Sequence, residues 1–232
     1  MVAAHTRTIR LGASVLLVPL YAPVVLAKEL ATLDVLSRGR LDVGLGLGWS
    51  MDEYDAVGVA WRDRGARIDE FIRCLKAIWT RDECELRGRF YTIPRSRIEP
   101  KPVQKPHPPL LVGGYADAVF RRAAELADGY TGGNIPFAEM REVVARLRRA
   151  AEDVGRDPAT LAVVCRGSFH VTDAPAGPDR RALWGTLDAI RDDIRHFAEC
   201  GVTELFLEPN FQPGGASLDR VLGHMDALAP GR

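Results

Sequence analysis

Along the whole chain, short apolar runs alternate with longer stretches in which apolar residues recur every three or four positions. The pattern predicts a buried strand over 8–17, a helix from Pro23 to about Leu36, and a second strand over 41–48. Pro23 suits the first turn of its helix, where a missing N–H costs nothing. A polar loop, SMDEYDAVGVAWRD, is expected next, before a helix with Ile68, Phe71, Ile72, Leu75, Ile78 and Trp79 on one face. Residues 84–109 break the rhythm with prolines and read as a hairpin or extended excursion. A short strand at 110–112 follows, then a helix over 117–127 and a weak strand at 128–134. Phe137, Met140, Val144, Leu147, Ala151 and Val154 mark the next helix, and 161–171 the next strand. Leu183, Leu187, Ile190, Ile194 and Phe197 mark another helix, before a last strand at 204–207 and a terminal helix capped by Ser217. Six strand–helix units in alternation imply a parallel sheet covered by helices. An open doubly wound sheet and a closed eight-stranded barrel both satisfy this pattern, and periodicity does not choose between them.

Composition narrows the function classes. The chain has 232 residues, and thirty-one basic residues balance thirty-one acidic ones. No net field draws it to nucleic acid or to an anionic membrane. The four cysteines, at 74, 84, 165 and 200, form no CxxC pair and no zinc spacing, so no metal site is expected. Buried reduced thiols and a cytoplasmic location are the simplest reading. The uncharged stretch 11–27 mimics a signal peptide, but Pro19 and Pro23 interrupt it. It is also short for a membrane span, and it runs on in register into KELATLDVLSRGR as a strand followed by a helix.

The second strand carries the chain's most unusual spelling, RLDVGLGLGW, with glycine at 44, 46 and 48. Alternate strand residues share a face, so one face is nearly bare while Leu41, Val43, Leu45 and Leu47 line the other. A dinucleotide fingerprint would need a third glycine and then a helix start. Met51 stands in the glycine's place and a polar loop is expected after it, which excludes that reading. The lower glycines are expected to make room for side chains filling a crowded interior. Gly48 sits at the strand's C-terminal end, where parallel α/β folds bind ligands. In LLVGGYADAV, Gly113 and Gly114 join a strand to a helix N-terminus, a place suited to phosphate or to a plain tight turn.

These segments together resemble the luciferase-like monooxygenase family, and most closely its branch that uses the deazaflavin F420. The resemblance is carried by TRTIRLGASVLLVPLYAPVVLAKELATLDVLSRGRLDVGLGLGW, Glu53, Gly58, RGARIDE at 64–70, PKPVQKPHPPLLVGG at 100–114 and ADG at 127–129. It implies a (β/α)8 barrel of the TIM type, here about six units forming a single domain over 1–232, with 84–109 as an insertion. It implies a flavin or deazaflavin at the barrel's C-terminal mouth, braced by a non-prolyl cis peptide at Ser14-Val15. Gly48 and Trp49 would face the ring or the substrate, and Gly113, Gly114 and Tyr115 the phosphate. Glu53, Arg64, Arg67 and Glu70 match the family pattern and are expected to form supporting ion pairs rather than to carry chemistry.

The segment that opens the family's third strand begins here at residue 6, so two units, about 60 residues, have no counterpart. The reading preferred is that Met1 is an internal codon of a longer protein. A shortened chain that dimerises and a remnant that binds flavin weakly are the alternatives. No residue matches the family's acid or base at the end of the second strand, so the catalytic residue is unknown. Of the histidines, His170 is the best substitute, near a strand end, and His5, His107, His196 and His224 are poorer. The expected function is hydride transfer between F420 and a small organic substrate. An FMN-dependent monooxygenase is the alternative, and a non-catalytic flavin-binding or dimer-partner protein an alternative of another class. Leu20, Tyr21, Trp49, Trp61 and Phe211 could line an apolar mouth or simply pack. A homodimer is left open.

Overall fold

The structure, a computed structural model, describes residues 1–175, 177, 179–210 and 217–229. In chain order the elements are α1 (Val2–His5), β1 (Leu11–Leu17), α2 (Pro23–Ser37), β2 (Leu41–Gly46), α3 (Met51–Ala56), α4 (Arg64–Thr80), β3 (Cys84–Arg87) and β4 (Thr92–Ser96). There follow β5 (Leu110–Gly113), α5 (Asp117–Leu126), β6 (Gly129–Gly133), α6 (Phe137–Asp153), β7 (Ala162–Ser168), β8 (His170–Val171) and β9 (Trp184–Gly185). The last elements are α7 (Leu187–Glu199), β10 (Glu204–Glu208) and α8 (Leu218–Leu228). The main sheet runs β1-β2-β5-β6-β7-β10. That is chain order without a reversal, so every crossover steps the same way, as in a β/α barrel. A doubly wound sheet would reverse at a switch point. The six strand–helix units expected from the pattern are present, and 84–109 contains an antiparallel hairpin, β3–β4.

The chain divides into two compact units within β6, Met1–Tyr130 and Thr131–Arg232. In the first, α4 buries the predicted face: Ile68, Phe71, Ile72, Leu75, Ile78 and Trp79 are all within 2% of full burial. The Trp79 indole N–H donates to the Ala27 carbonyl of α2 at 2.9 Å. Below the strands, Asp34 is fully buried and accepts the Gln104 N–H and side-chain amide, while that amide also reaches the Leu41 carbonyl. Arg10 pairs with Asp42 at the same end. These bonds moor the proline-rich segment to the N-terminal end of the barrel strands, the end that serves stability in this architecture.

The two glycines inside β2, Gly44 and Gly46, have a specific cause. The β1–β2 register is irregular between Ala13 and Leu16, so β1 folds over the face of β2. A Cβ on Gly44 would fall on the Ala13 carbonyl oxygen, and one on Gly46 on a Val15 methyl. The empty face is therefore filled largely by the neighbouring strand's backbone and Val15, rather than by distant barrel side chains.

In the second unit, Met140, Val144, Leu147 and Ala151 of α6 are buried, as are Ile190 and Phe197 of α7. The helix expected from Leu183 begins later, at Leu187, with the Thr186 hydroxyl accepting the Ala189 N–H. Leu183 instead adopts φ +64° and is buried against Gly167, so its apolar character reflects a strap packed on β7 rather than a helix face. Asp193 holds that strap, accepting two bonds from Arg180 at 2.6 Å and the Leu183 N–H at 2.7 Å. Val154, expected on the inner face of α6, is its C-cap and is 42% exposed. Ser217 caps α8 as expected. No described helix is long and apolar enough to cross a membrane.

Gly44→Ala should lower the unfolding free energy by about 3 kcal/mol in urea titrations, because backbone at Ala13 must move. Gly12→Ala, with open space at its Cβ, should stay within about 0.5 kcal/mol of wild type. A second expectation concerns α8. His224 of that helix lies 5.5 Å from the Phe169 ring, and burial, Arg220 and His170 hold its imidazole below the usual 6.5. The unfolded chain therefore takes up this proton before the native one does, so stability declines as pH falls below 6.5 and is unaffected above it. The protection factors of α8 amides, exchange rates corrected for their intrinsic pH dependence, should fall between pH 7 and 5, and His224→Gln should flatten that dependence.

Candidate functional site

Three consecutive parallel strands of the first unit present their C-terminal ends together. Leu45 of β2 pairs with Leu16 of β1 on one side and with Val112 of β5 on the other. Ser14 and Val15 lie at the irregularity of β1, and the peptide between them is cis, as the family pattern led us to expect. Just past β2, Gly48 has φ +74°, and a Cβ there would meet Leu17 at 3.0 Å and the Glu53 carboxylate at 3.5 Å. Trp49 follows with 89% of its surface exposed.

The β2 corner is secured by a residue that sequence patterning assigned to a loop. Residues 51–56 are helical, and Tyr54 of α3 is fully buried, its hydroxyl donating to the Leu47 carbonyl. Burial pushes the Tyr54 phenol up, with Arg64 pulling the other way, so it remains a protonated donor. Its ring meets Trp61 edge-on at 4.9 Å, and the Arg64 guanidinium lies 3.8 Å above Trp61. The signal for α3 was the S-x-x-E spelling at Ser50–Glu53, although the Ser50 side chain makes no cap bond. A helix does begin there, contrary to expectation; the dinucleotide reading still fails because Gly44 and Gly46 lie inside β2 rather than in a turn after it.

At the end of β5, Gly114 has φ +143° and a Cβ would sit 2.8 Å from Val119. Its carbonyl accepts the Tyr130 hydroxyl at 3.0 Å, and Tyr130 is fully buried against Phe120. Tyr115 is 69% exposed. Ala116, the N-cap of α5, makes no side-chain cap bond. Asp117 stands in the first turn and weakens the attraction for an anion.

The four charged residues expected to ion-pair do not do so among the described residues. Glu70 accepts the N–H groups of Arg89, Phe90 and Tyr91 at 2.8–3.2 Å, holding the β3–β4 turn. Arg67 lies 5.1 Å over the Phe90 and Tyr91 rings, and Arg64 donates to the Trp61 carbonyl at 3.0 Å. Glu53 faces Gly48. Each finds a partner nearer than the others.

The histidines are placed by packing. His107 is buried, 2.9 Å from the Pro108 carbonyl and 3.8 Å from Asp128. His196 packs edge-on against Phe137, and His170 lies 5.3 Å from the Trp184 ring. Of the expected mouth residues, Trp61 is a packing residue and Tyr21 lines an apolar groove with Leu16, Leu30 and Leu33. Leu20 closes a 3-10 turn, and Phe211 lies outside the described residues.

Comparison with known proteins supplies the family. The model of the luciferase-like monooxygenase family matches residues 1–178. An uncharacterised protein of Mycobacterium tuberculosis is 36% identical over 169 residues, covering 72% of this chain and 58% of that protein. The chain thus spans little more than half of that relative's length. Another from the same organism is 34% identical over 230 residues, 98% of this chain and 72% of the relative. An FMNH2-dependent dimethylsulfone monooxygenase of Pseudomonas putida is 38% identical over 135 residues, 56% of this chain and 37% of that enzyme. Among solved structures, a monooxygenase from Streptomyces bottropensis superposes with a TM-score of 0.83 at 24% identity, covering 98% of this chain and 78% of that one. The coenzyme F420-dependent tetrahydromethanopterin reductase of Methanopyrus kandleri gives 0.79 at 16% identity, covering 96% and 83%. These superpositions show the fold. With the family model across most of the chain and a 34%-identical relative matched over 98% of the chain, the chain belongs to the luciferase-like monooxygenase family.

Proposed function

We propose that Ser14, Val15, Gly48, Trp49, Gly113, Gly114 and Tyr115 bind F420 in an oxidoreductase that acts on a small organic substrate. The observation that carries this reading is the pair of exposed aromatic residues, Trp49 and Tyr115, just past the C-terminal ends of the neighbouring strands β2 and β5. The exposed faces of Trp49 and Tyr115 fit a flat ring, while Gly48 and Gly114 are needed because a side chain there would crowd Leu17 or Val119. When bound, the deazaflavin supplies the two-electron chemistry, and the protein supplies position and electrostatics. Tyr54 holds the Leu47–Trp49 corner and Tyr130 holds the Gly114 turn, so both edges of the cradle are set before binding. The Gly113–Tyr115 turn and the N-terminal end of α5 would face the phosphate. FMN is the second reading, favoured by the 38% identity to the Pseudomonas putida monooxygenase.

Thermal melts of the whole chain with F420 or FMN test the proposal. A cofactor at 100 times its Kd stabilises by ~2.7 kcal/mol, which should raise the midpoint by about 5–10 °C. A shift with F420 alone supports the first reading and a shift with FMN alone the second. No shift with either overturns both. Binding without turnover across carbonyl and alcohol substrates would favour a non-catalytic flavin-binding protein. Trp49→Ala should weaken the cofactor about tenfold, consistent with loss of one stacked aromatic contact, without moving the midpoint of the free chain.

A further inference from the structure

A cavity of about 240 Å³ opens in the second unit, lined on its floor by Phe137, Met140, Cys165, Leu183 and Phe197. The floor is wholly apolar in character. Burial pushes the Cys165 thiol up to about 12, so it stays neutral, with its sulfur 3.9 Å from that of Met140. The volume holds about eight waters and lies below the ~300 Å³ where drug-sized pockets begin. A single ring or a branched chain fills it, and a flavin does not.

The rim is a surplus of donors. Arg166, Arg180 and Arg181 line it with Asn134. Two of the guanidiniums are balanced: Arg180 is forked onto Asp193, and Arg166 lies 3.6 Å from Glu208. Arg166 is also laid close across β6, where a Cβ on Gly133 would meet its nitrogens at 3.0 Å. Arg181 is different. It rests on the Trp184 ring at 5.4 Å and meets no carboxylate among the described residues. The Asn134 side-chain oxygen accepts the Ser168 N–H at 3.1 Å, and its NH2 group meets no acceptor among the described residues, a further donor. One positive charge and a set of N–H donors thus stand at the mouth of an apolar cavity.

We propose that this cavity binds a small carboxylate with an aromatic or branched apolar body, its body on the Met140 floor and its carboxylate at Arg181 and Asn134. A neutral or cationic head would leave the Arg181 charge unanswered, whereas a carboxylate forms charge-assisted bonds there. The strap that carries Arg181 is already ordered through Asp193, so little conformational freedom is lost on binding. Every residue of this site lies in 131–232, and its test stands whether or not a cofactor binds the first unit.

Methyl-labelled methionine NMR on the whole chain tests the site, with benzoate as probe and benzamide as its uncharged counterpart. The chain has four methionines, of which Met140 is buried while Met1, Met51 and Met225 are exposed. Met140→Leu, a swap of similar volume, assigns the Met140 resonance. Benzoate should shift the Met140 methyl saturably and leave the other three unmoved, and benzamide should bind about tenfold more weakly. Arg181→Gln, an exposed substitution, should erase that tenfold difference without changing the melting midpoint. A Met140 methyl that benzoate does not move overturns the proposal. So does equal binding of the two probes to the wild-type chain, or a benzoate preference that survives in R181Q.

Discussion

The Ala13 carbonyl oxygen occupies the place that a Cβ on Gly44 would need. This backbone approach explains the glycine face of β2, the irregular register of β1, and the position of Val15 over Gly46. A backbone atom cannot move aside as a side chain can, so the site is intolerant in a way ordinary core packing is not. It also sets where the strand ends emerge. Leu17 reaches Gly48 past the bulge, and the exposed Trp49 follows directly. The candidate cradle is therefore an outcome of how two neighbouring strands pack.

Buried and half-buried carboxylates organise most of the irregular chain. Asp34 moors the proline-rich segment, Glu70 gathers three N–H groups of the hairpin turn, and Asp193 orders the strap before α7. Asp69 pairs with the nearly buried Arg122, linking α4 to α5. Asp34, Glu70 and Asp193 are each answered by several donors and Asp69 by a guanidinium, the condition under which burial of a carboxylate is sustainable. These groups are thereby committed to architecture. The same reasoning separates Arg180 and Arg166, both paired with a carboxylate, from Arg181, which meets none among the described residues.

The two tyrosine hydroxyls follow a related logic. Tyr54 and Tyr130 are fully buried aromatics, each placing its hydroxyl on a carbonyl of a glycine-bearing corner. A buried phenol needs an acceptor, and a loop carbonyl needs a donor. The pairing satisfies both and stiffens corners that glycine would otherwise leave free.

The amphipathic faces of α4, α6 and α7, the six strand–helix units and the hairpin in 84–109 were legible in the order of residues. So were the family and the cis peptide at Ser14-Val15, through resemblance. Periodicity reports which face of a local element is buried, and that is a property of neighbouring residues along the chain. Tertiary structure alone decided that a strand backbone, rather than side chains, fills the face of Gly44. It decided that Leu183 belongs to a strap rather than a helix, that Tyr54 and Tyr130 brace the two corners, and that Glu70 holds a hairpin instead of pairing with an arginine. It also assembled the cavity beneath Arg181 from α6, β7 and α7. Those outcomes depend on distances between residues remote in sequence, and such distances are set only when the packed strands and helices bring backbone atoms and charges together.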